Sequence, residues 1–248
     1  MRKNIKQWLS AELVDYRILL RSIPSVIVAA FTVAVVLMNL LANKEIYTGT
    51  TWLALDCGLL ISWLSFLCMD IITKRFGAKA SIKISLLATA INLLVCAVLF
   101  VASRIPGNWG EFYATENGYV NDVLNNTIGG TWYVLLGSSI AFIVSSVVNS
   151  VVNAGIGKWC QKDTYFNYIL RSWASTMLGQ FVDNMVFSLM VSHVFFGWTL
   201  LQCFTCSVSG CLIELVCQVI FTPVGYRVAK SWEKDKVGEQ YINHNRGV

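Results

Sequence analysis

Four carboxylates stand out in this sequence because they fall inside long apolar segments. Asp56 and Asp70 lie near the two ends of one such segment, and Asp183 and Glu214 lie within two others. A charged side chain is costly in hydrocarbon, so acids in such segments usually line a solute pathway, a ligand site or an internal ion pair. We therefore take these four residues as the first candidates for function.

The segment around Asp183 carries a polar stripe along one helical face, because residues three and four positions apart share a face. Asp183, Gln180 and, on the flank, Asn184 supply three adjacent strong hydrogen-bonding groups, more than helix packing requires. We interpret these three as ligand-binding residues and the small residues of the stripe as packing positions between membrane helices. The stripe consists of Ser172, Ser175, Thr176, Gly179, Gln180, Asp183 and Phe187.

Glu214 is predicted to reach the same depth in a membrane as Asp183. Asp183 lies about 18 Å along a helix from Arg171, at 1.5 Å per residue. Glu214 lies about 20 Å from Arg227 on the next predicted helix, with Gln218 one turn nearer to Arg227. Two such helices would present acid and amide groups to a neutral or cationic, hydrogen-bond-rich solute. The alternative is a protonated carboxyl that only ties the helices together.

Other polar residues are predicted at the edges of this site. Asp70 precedes Lys74 by four residues, so the two could form an ion pair at a helix end or act as a gate. Asn149 and Asn153 could line the cavity from a further helix, and Asn43 and Lys44 could line its outer mouth. The residues assigned to a gate or to structural polar contacts are Asp70, Lys74, Arg171, Asn43 and Lys44.

The composition indicates a membrane protein. Of 248 residues, 56% are apolar and 13% are charged, against roughly 25% charged in a soluble domain. Several apolar segments reach the roughly 20 residues needed to cross a bilayer core. We predict an all-α, polytopic protein with six transmembrane helices in one bundle. The six spans are predicted at approximately 23–43, 52–70, 82–102, 132–156, 173–196 and 199–226.

The basic residues predict an orientation for this bundle. All lysines and arginines except Lys44 and Arg104 fall on one side of the predicted spans. The positive-inside rule then places both termini in the cytoplasm. The net charge of +5 is therefore a topology signal, and we expect no nucleic-acid partner.

Residues 1–230 are predicted to form a single domain, followed by a polar cytoplasmic tail at 231–248. Residues 5–20 place apolar side chains on one face between basic residues, which is typical of a helix lying along the inner membrane surface. A plain cytoplasmic extension of the first span is the alternative. The long external loop at 103–131 is rich in aromatic and acidic residues, and we predict an ordered cover there.

Motifs for metal, phosphate and hydrolytic chemistry are missing from the sequence. Cys203 and Cys206 form a C-x-x-C, but neither a second pair nor a histidine cluster completes a zinc site. The sequence also lacks a G-x-x-x-x-G-K-[ST] phosphate loop and the G-x-S-x-G and H-E-x-x-H motifs. We therefore expect no enzyme activity, no cofactor and no bound metal.

Two segments resemble signatures of the queuosine precursor transporter family, also known as the vitamin uptake transporters. Residues 70–77, DIITKRFG, are similar to its D-x-x-T-x-x-[YF]-G motif. Residues 171–187 are similar to its R-x-x-x-S-x-x-x-x-Q-x-x-D-[ST]-x-x-F helix. The resemblance extends over most of the six predicted spans, including Pro223 near the end of the last. The sequence departs from the family at Asn184, where many relatives have a small hydroxyl residue, and at Glu214, where many carry a basic residue.

The resemblance implies import of 7-deazaguanine compounds for queuosine salvage: 7-cyano-7-deazaguanine, 7-aminomethyl-7-deazaguanine or queuine. It also implies a six-helix fold like the substrate-binding subunits of energy-coupling-factor transporters, working without an ATPase in the bacterial cytoplasmic membrane, with a homodimer as one option. A carboxylate such as Asp183 could accept the paired donors of a guanine-like face. Gln180 or Asn184 could serve its O6 edge, and Trp63 or Phe187 could stack on the ring.

The residues leave two other functions open. One is a binding subunit for another vitamin or heterocycle that depends on a partner ATPase, and the other is a structural membrane protein without a solute. Within the implied family, Glu214 would favour the two derivatives that carry an amine. The full set of predicted substrate-binding residues is Asp183, Gln180, Asn184, Glu214, Gln218, Asn149, Phe187 and Trp63.

Overall fold

The chain is almost entirely helical in the computed structural model, which describes residues 2–46, 49–50, 52, 55–110, 118–129, 132–160, 164–195 and 197–246. The helices are, in chain order, α1 (Arg2–Ser22), α2 (Ser25–Leu41), α3 (Leu59–Phe76), α4 (Ala78–Ala102), α5 (Gly118–Gly129), α6 (Trp132–Trp159), α7 (Tyr165–Phe187), α8 (His193–Phe195), α9 (Leu200–Lys234) and α10 (Glu239–Arg246). A π-helical turn, Ser188–Ser192, joins α7 to α8.

A short hairpin separates α2 from α3. Glu45–Ile46 pairs antiparallel with Leu55–Asp56. Gly58 allows the following turn to pack on the end of α2, because a Cβ there would lie 2.6 Å from the carbonyl oxygen of Met38. Since α3 begins only at Leu59, the second predicted span, 52–70, starts too early and ends too early.

Local sequence explains where the other long helices begin. Gly77, with φ of 87°, forms the sharp turn between α3 and α4. Thr199 and Gln202 form a capping box at the start of α9, in which each side chain bonds the backbone of the other. Phe31 of α2, Phe66 of α3 and other apolar side chains fill the core of the bundle.

Among the described residues, three helical stretches are long and apolar enough to cross a membrane. They are α4, α9 and the stretch Gly118–Trp159, which contains α5 and α6. A fourth is obtained if α1 and α2, which meet at an angle of 104°, count as one broken span. The helices α3 and α7 fall short because they carry the charged and polar side chains of the predicted site. The count of six spans therefore stays a prediction.

The two ends of the bundle differ in chemistry. The end that carries the hairpin and the start of α3 is called the hairpin end below. At the opposite end, called the basic end, Lys83 lies near the start of α4. Arg171 of α7 packs there against Gly157 of α6, where an added Cβ would lie 2.9 Å from its guanidinium.

The first and last helices pack together at the basic end. Asp15 of α1 forms ion pairs with Lys83 and, at 3.2 Å, with Lys79, and it accepts a hydrogen bond from Asn245 of α10 at 3.1 Å. Tyr241 of α10 is buried. The predicted polar tail, 231–248, is thus largely helical, and part of it packs against the domain. The opposite face of α1 exposes Leu9, Leu13 and Val14. The position of this helix on a membrane surface stays a prediction.

The predicted external cover, 103–131, is described only in part. Trp109 donates from Nε1 to Asn125 of α5 at 2.8 Å, and its backbone N–H donates to Asn121 at 2.9 Å. Residues 111–117 and 130–131 lie outside the described residues.

Candidate functional site

A cleft opens at the hairpin end between α2, α3, α7 and α9. Its cavity volume is about 50 Å³, within about 510 Å³ of space that protein atoms do not fill and that is partly open to the surroundings. Three of the four predicted acids, Asp56, Asp183 and Glu214, line it. The other lining residues are Met38, Ala42, Leu55, Gly58, Leu59, Ser62, Ser138, Asn184, Phe187, Cys206 and Gly210.

Glu214 is held by neutral hydrogen-bond donors from two other helices. It is only 2% exposed. Ser62 of α3 donates to its Oε1, and Asn184 of α7 donates from Nδ2 to its Oε2 at 3.2 Å. With its amide turned so that the nitrogen faces the carboxylate, Gln180 donates to Oε2 at 2.8 Å. The carboxylate of Glu214 is therefore fixed in position by amides and a hydroxyl.

Asp183 is half-buried beside the same cleft. Ser145 of α6 donates to its Oδ1 at 2.7 Å. Among the described residues, no side chain donates to its Oδ2, so this oxygen is available to a ligand. The close approach of the Asn184 side-chain amide to α9 depends on Gly210, where an added Cβ would lie 2.8 Å from Nδ2 of Asn184. The structure thus brings the two predicted acids to one cleft on neighbouring helices.

The cleft is acidic. Three carboxylates line it, and the lining set contains no lysine, arginine or histidine. It continues toward the hairpin end into a recess of about 720 Å³, part of it open, whose lining includes Asn43, Ser192 and Trp198. A ligand that carries positive charge or several hydrogen-bond donors fits such a site, because a buried carboxylate requires compensation.

Asp70 lies outside this cleft, in a second polar cluster nearer the basic end. It is completely buried. Ser172 donates to it, and so do Asn153 of α6 at 2.6 Å and Gln218 of α9 at 2.9 Å. Longer hydrogen bonds of 3.3–3.4 Å come from Ser175, Thr176 and Asn149. We call this cluster of seven residues the Asp70 centre.

Arg171 is joined to the Asp70 centre through an amide. Its Nε donates to Oδ1 of Asn153 at 2.8 Å, while Nδ2 of Asn153 donates to Asp70. A cation and a carboxylate are thus linked by one asparagine in the interior. Three other helices surround the Asp70 carboxylate and bury it, so it does not lie at an exposed helix end as one of its two predicted roles required. Its pairing with Lys74 stays a prediction.

Several other predicted residues fall outside the cleft. Asn149 and Gln218 belong to the Asp70 centre. Trp63 stacks on Phe221 of α9, with ring centroids 4.0 Å apart, and does not line the cleft. Lys44 is exposed and is not among the lining residues, and the described part of 103–131 contributes none.

The two hydroxyls that donate to Glu214 and Asp183, those of Ser62 and Ser145, were not predicted. Ser145 lies one turn before Asn149 on α6, and this spacing could have identified it. Ser62 lies in the apolar run LLISWLSF, and no pattern in the sequence marks it.

Comparison with known families gives one match. A family model described as a vitamin uptake transporter matches residues 56–228, which is more than half of the chain and includes all four acids. No curated protein and no solved structure matches the chain.

Proposed function

The chain belongs to the vitamin uptake transporter family, and from this premise we propose that it imports 7-deazaguanine precursors of queuosine through the acidic cleft. Family membership supports transport of a small solute. The single observation that supports this class of solute is the cleft itself, with three carboxylates and no basic lining residue. A ring system rich in N–H donors matches that arrangement.

Asp183 and Phe187 supply the groups that such a ring needs. The guanine-like edge of a 7-deazaguanine offers an N1–H and an exocyclic amine side by side, and an ionised carboxylate accepts both. No side chain of the described residues donates to Oδ2 of Asp183, so this oxygen can accept a hydrogen bond from the ligand. The amide of Asn184 beside it can donate to the O6 atom of the ring. Phe187 lines the same cleft and supplies an aromatic face for stacking.

Glu214 favours the derivatives that carry an amine, namely 7-aminomethyl-7-deazaguanine and queuine. Its carboxylate is surrounded by Ser62, Gln180 and Asn184, which are neutral donors. A cationic amine would supply the missing positive charge, and hydrogen bonds between charged partners are the strong ones. The nitrile of 7-cyano-7-deazaguanine offers no such charge.

The Asp70 centre acts as a closed gate below the cleft. It cross-links α3, α6, α7 and α9 through side-chain hydrogen bonds, between the cleft and the basic end. With the hairpin end outward and both termini cytoplasmic, a bound solute enters from outside and leaves after these bonds separate. Transport is secondary or facilitated in the bacterial cytoplasmic membrane, without an ATPase.

The test is queuosine formation in the tRNA of a bacterial strain that lacks precursor synthesis, its own importer and any coupling ATPase. The wild-type chain should restore queuosine when 7-aminomethyl-7-deazaguanine is supplied, and Asp183→Asn should not. Asp122→Asn, which changes an exposed acid of α5, is the matched control and should restore it fully. Restoration only after a coupling ATPase is added would favour a binding subunit instead.

A further inference from the structure

A second cavity, separate from the acidic cleft, lies between α4, α5 and α6 at the hairpin end. It contains about 990 Å³ of unfilled space, part of it open to the surroundings. Its walls are mainly apolar and include Leu93 and Phe100 of α4 and Trp132 and Leu136 of α6. We call it the α4–α6 groove. The proposed function of the acidic cleft does not involve it.

The groove runs along a helix that is apolar enough to cross a membrane. Leu93, Ala97 and Phe100 line it at successive turns of α4, and Arg104 follows one turn beyond. From Leu93 to Arg104 the distance along a helix is about 16 Å at 1.5 Å per residue. One leaflet of the hydrocarbon core is about 15 Å thick, half of about 30 Å. The length of the groove therefore matches that of a lipid acyl chain in one leaflet.

A cation lies at the end of this apolar path. The guanidinium of Arg104 lies 5.1 Å from the centre of the Phe100 ring, and the side chain is exposed. In the part of the chain that the structure describes, no carboxylate forms an ion pair with Arg104. Trp132 is 60% exposed at the same end, where tryptophan is typical of the membrane–water interface.

We propose that the α4–α6 groove binds an anionic phospholipid of the leaflet at the hairpin end. One acyl chain lies along Leu93 and Phe100, and the headgroup phosphate contacts Arg104. Charge complementarity favours this occupant, because the exposed guanidinium of Arg104 lies at the end of the apolar path, where the phosphate of a headgroup would lie. One basic residue near a membrane surface contributes about 1 kcal/mol toward anionic lipid, so the groove should be enriched in it about fivefold.

The experiment measures quenching of Trp132 by lipids brominated on their acyl chains. The full chain is reconstituted in bilayers with a small, equal fraction of brominated phosphatidylglycerol or brominated phosphatidylcholine. The signal of Trp132 is the difference between the wild type and Trp132→Phe. The difference between the wild type and Trp63→Phe gives the signal of Trp63, a tryptophan of α3 that lies outside the groove.

We expect brominated phosphatidylglycerol to quench Trp132 more strongly than brominated phosphatidylcholine, with no such difference at Trp63. Arg104→Gln should abolish the difference, and Arg104→Lys, which keeps the charge, should retain most of it. Equal quenching by the two lipids in the wild type would overturn the proposal. Quenching by neither lipid would also overturn it and would indicate that a second copy of the chain covers the groove.

Discussion

Asn184 of α7 donates a hydrogen bond from Nδ2 to Oε2 of Glu214 on α9, at 3.2 Å. The bond crosses the helix pair at Gly210, where only a hydrogen atom fits beside the amide. It fixes the carboxyl group of Glu214 and supplies no positive charge. A cationic ligand can therefore supply the positive charge that the lining residues of the cleft lack.

Replacing Glu214 by Gln tests the preference for an amine. The change removes a charged acceptor and keeps the shape of the side chain. A hydrogen bond to a charged group contributes about 1.5–3 kcal/mol, so the affinity for 7-aminomethyl-7-deazaguanine should fall at least tenfold. The affinity for the cyano compound should change little. Isothermal titration calorimetry of purified variants measures both, with Glu233→Gln, an exposed acid of α9, as control. An unchanged ranking of the two compounds would contradict the role of Glu214.

Two glycines of the site should respond differently to alanine. At Gly210 an added Cβ displaces only the amide end of the Asn184 side chain, so ligand affinity should fall while the melting temperature changes little. At Gly179 the Cβ would lie 2.7 Å from the Phe66 ring and 2.9 Å from Cβ of Asn149. Overpacking of this kind costs about 1–3 kcal/mol, so Gly179→Ala should lower the melting temperature.

Gly155→Ala is the control for both variants, since nothing lies within 4 Å of the added Cβ. Thermal unfolding in detergent and ligand titration on the three proteins separate the two effects. Loss of stability in Gly210→Ala as large as in Gly179→Ala would show that Gly210 serves packing rather than the position of Asn184.

Asp70 and Arg171 should behave as a coupled pair. Each substitution removes a hydrogen bond between a buried charged group and Asn153, and a hydrogen bond of this kind contributes about 1.5–3 kcal/mol. Asp70→Asn and Arg171→Gln should therefore each lower the melting temperature strongly, and the double variant should lose less than the two losses added together. Additive losses would show that Asn153 does not connect the two charges. Since neither residue lines the cleft, the double variant should still bind the ligand.

The raised pKa of Tyr241 predicts a loss of stability at alkaline pH. Burial, together with the nearby charge of Asp15, raises the pKa of Tyr241 to about 12 from 10.0. The folded state therefore favours the neutral phenol, and its contribution to stability is complete below pH 10.0 and is lost as the pH rises to about 12. Thermal melting across this range should show a decrease that Tyr241→Phe reduces.

The Tyr241→Phe variant removes the ionisable hydroxyl without breaking a hydrogen bond, because this hydroxyl has no hydrogen-bond partner among the described residues. An identical alkaline decrease in Tyr241→Phe would assign the effect to other groups.

The common level of Asp183 and Glu214 could be predicted from the sequence because the rise of a helix per residue is fixed. Counting from flanking basic residues on two neighbouring helices was enough, and the polar stripe of α7 identified the face that turns inward, toward α3, α6 and α9. Asn184, Gln180 and Phe187 follow from the same helical geometry.

The environment of Asp70 could not be predicted in this way. Its spacing to Lys74 is equally compatible with a surface pair and with burial, and the choice depends on amides and hydroxyls supplied by three helices distant in sequence. The position of Trp63 could not be predicted for a related reason. An aromatic side chain in an apolar helix can face a cavity or, as here, pack on another ring, that of Phe221. The hairpin has only two residues in each strand, too few to show an alternating pattern.

Direct binding of 7-aminomethyl-7-deazaguanine to the purified chain tests the central claim, that the acidic cleft is the solute site. Isothermal titration calorimetry should show saturable binding at one site in the wild type and in Asp122→Asn. Asp183→Asn and Glu214→Gln should each weaken it at least tenfold, as expected for losing a hydrogen bond to a charged group, about 1.5–3 kcal/mol. Equal affinity in all four proteins, or no binding by the folded wild type, would contradict the claim.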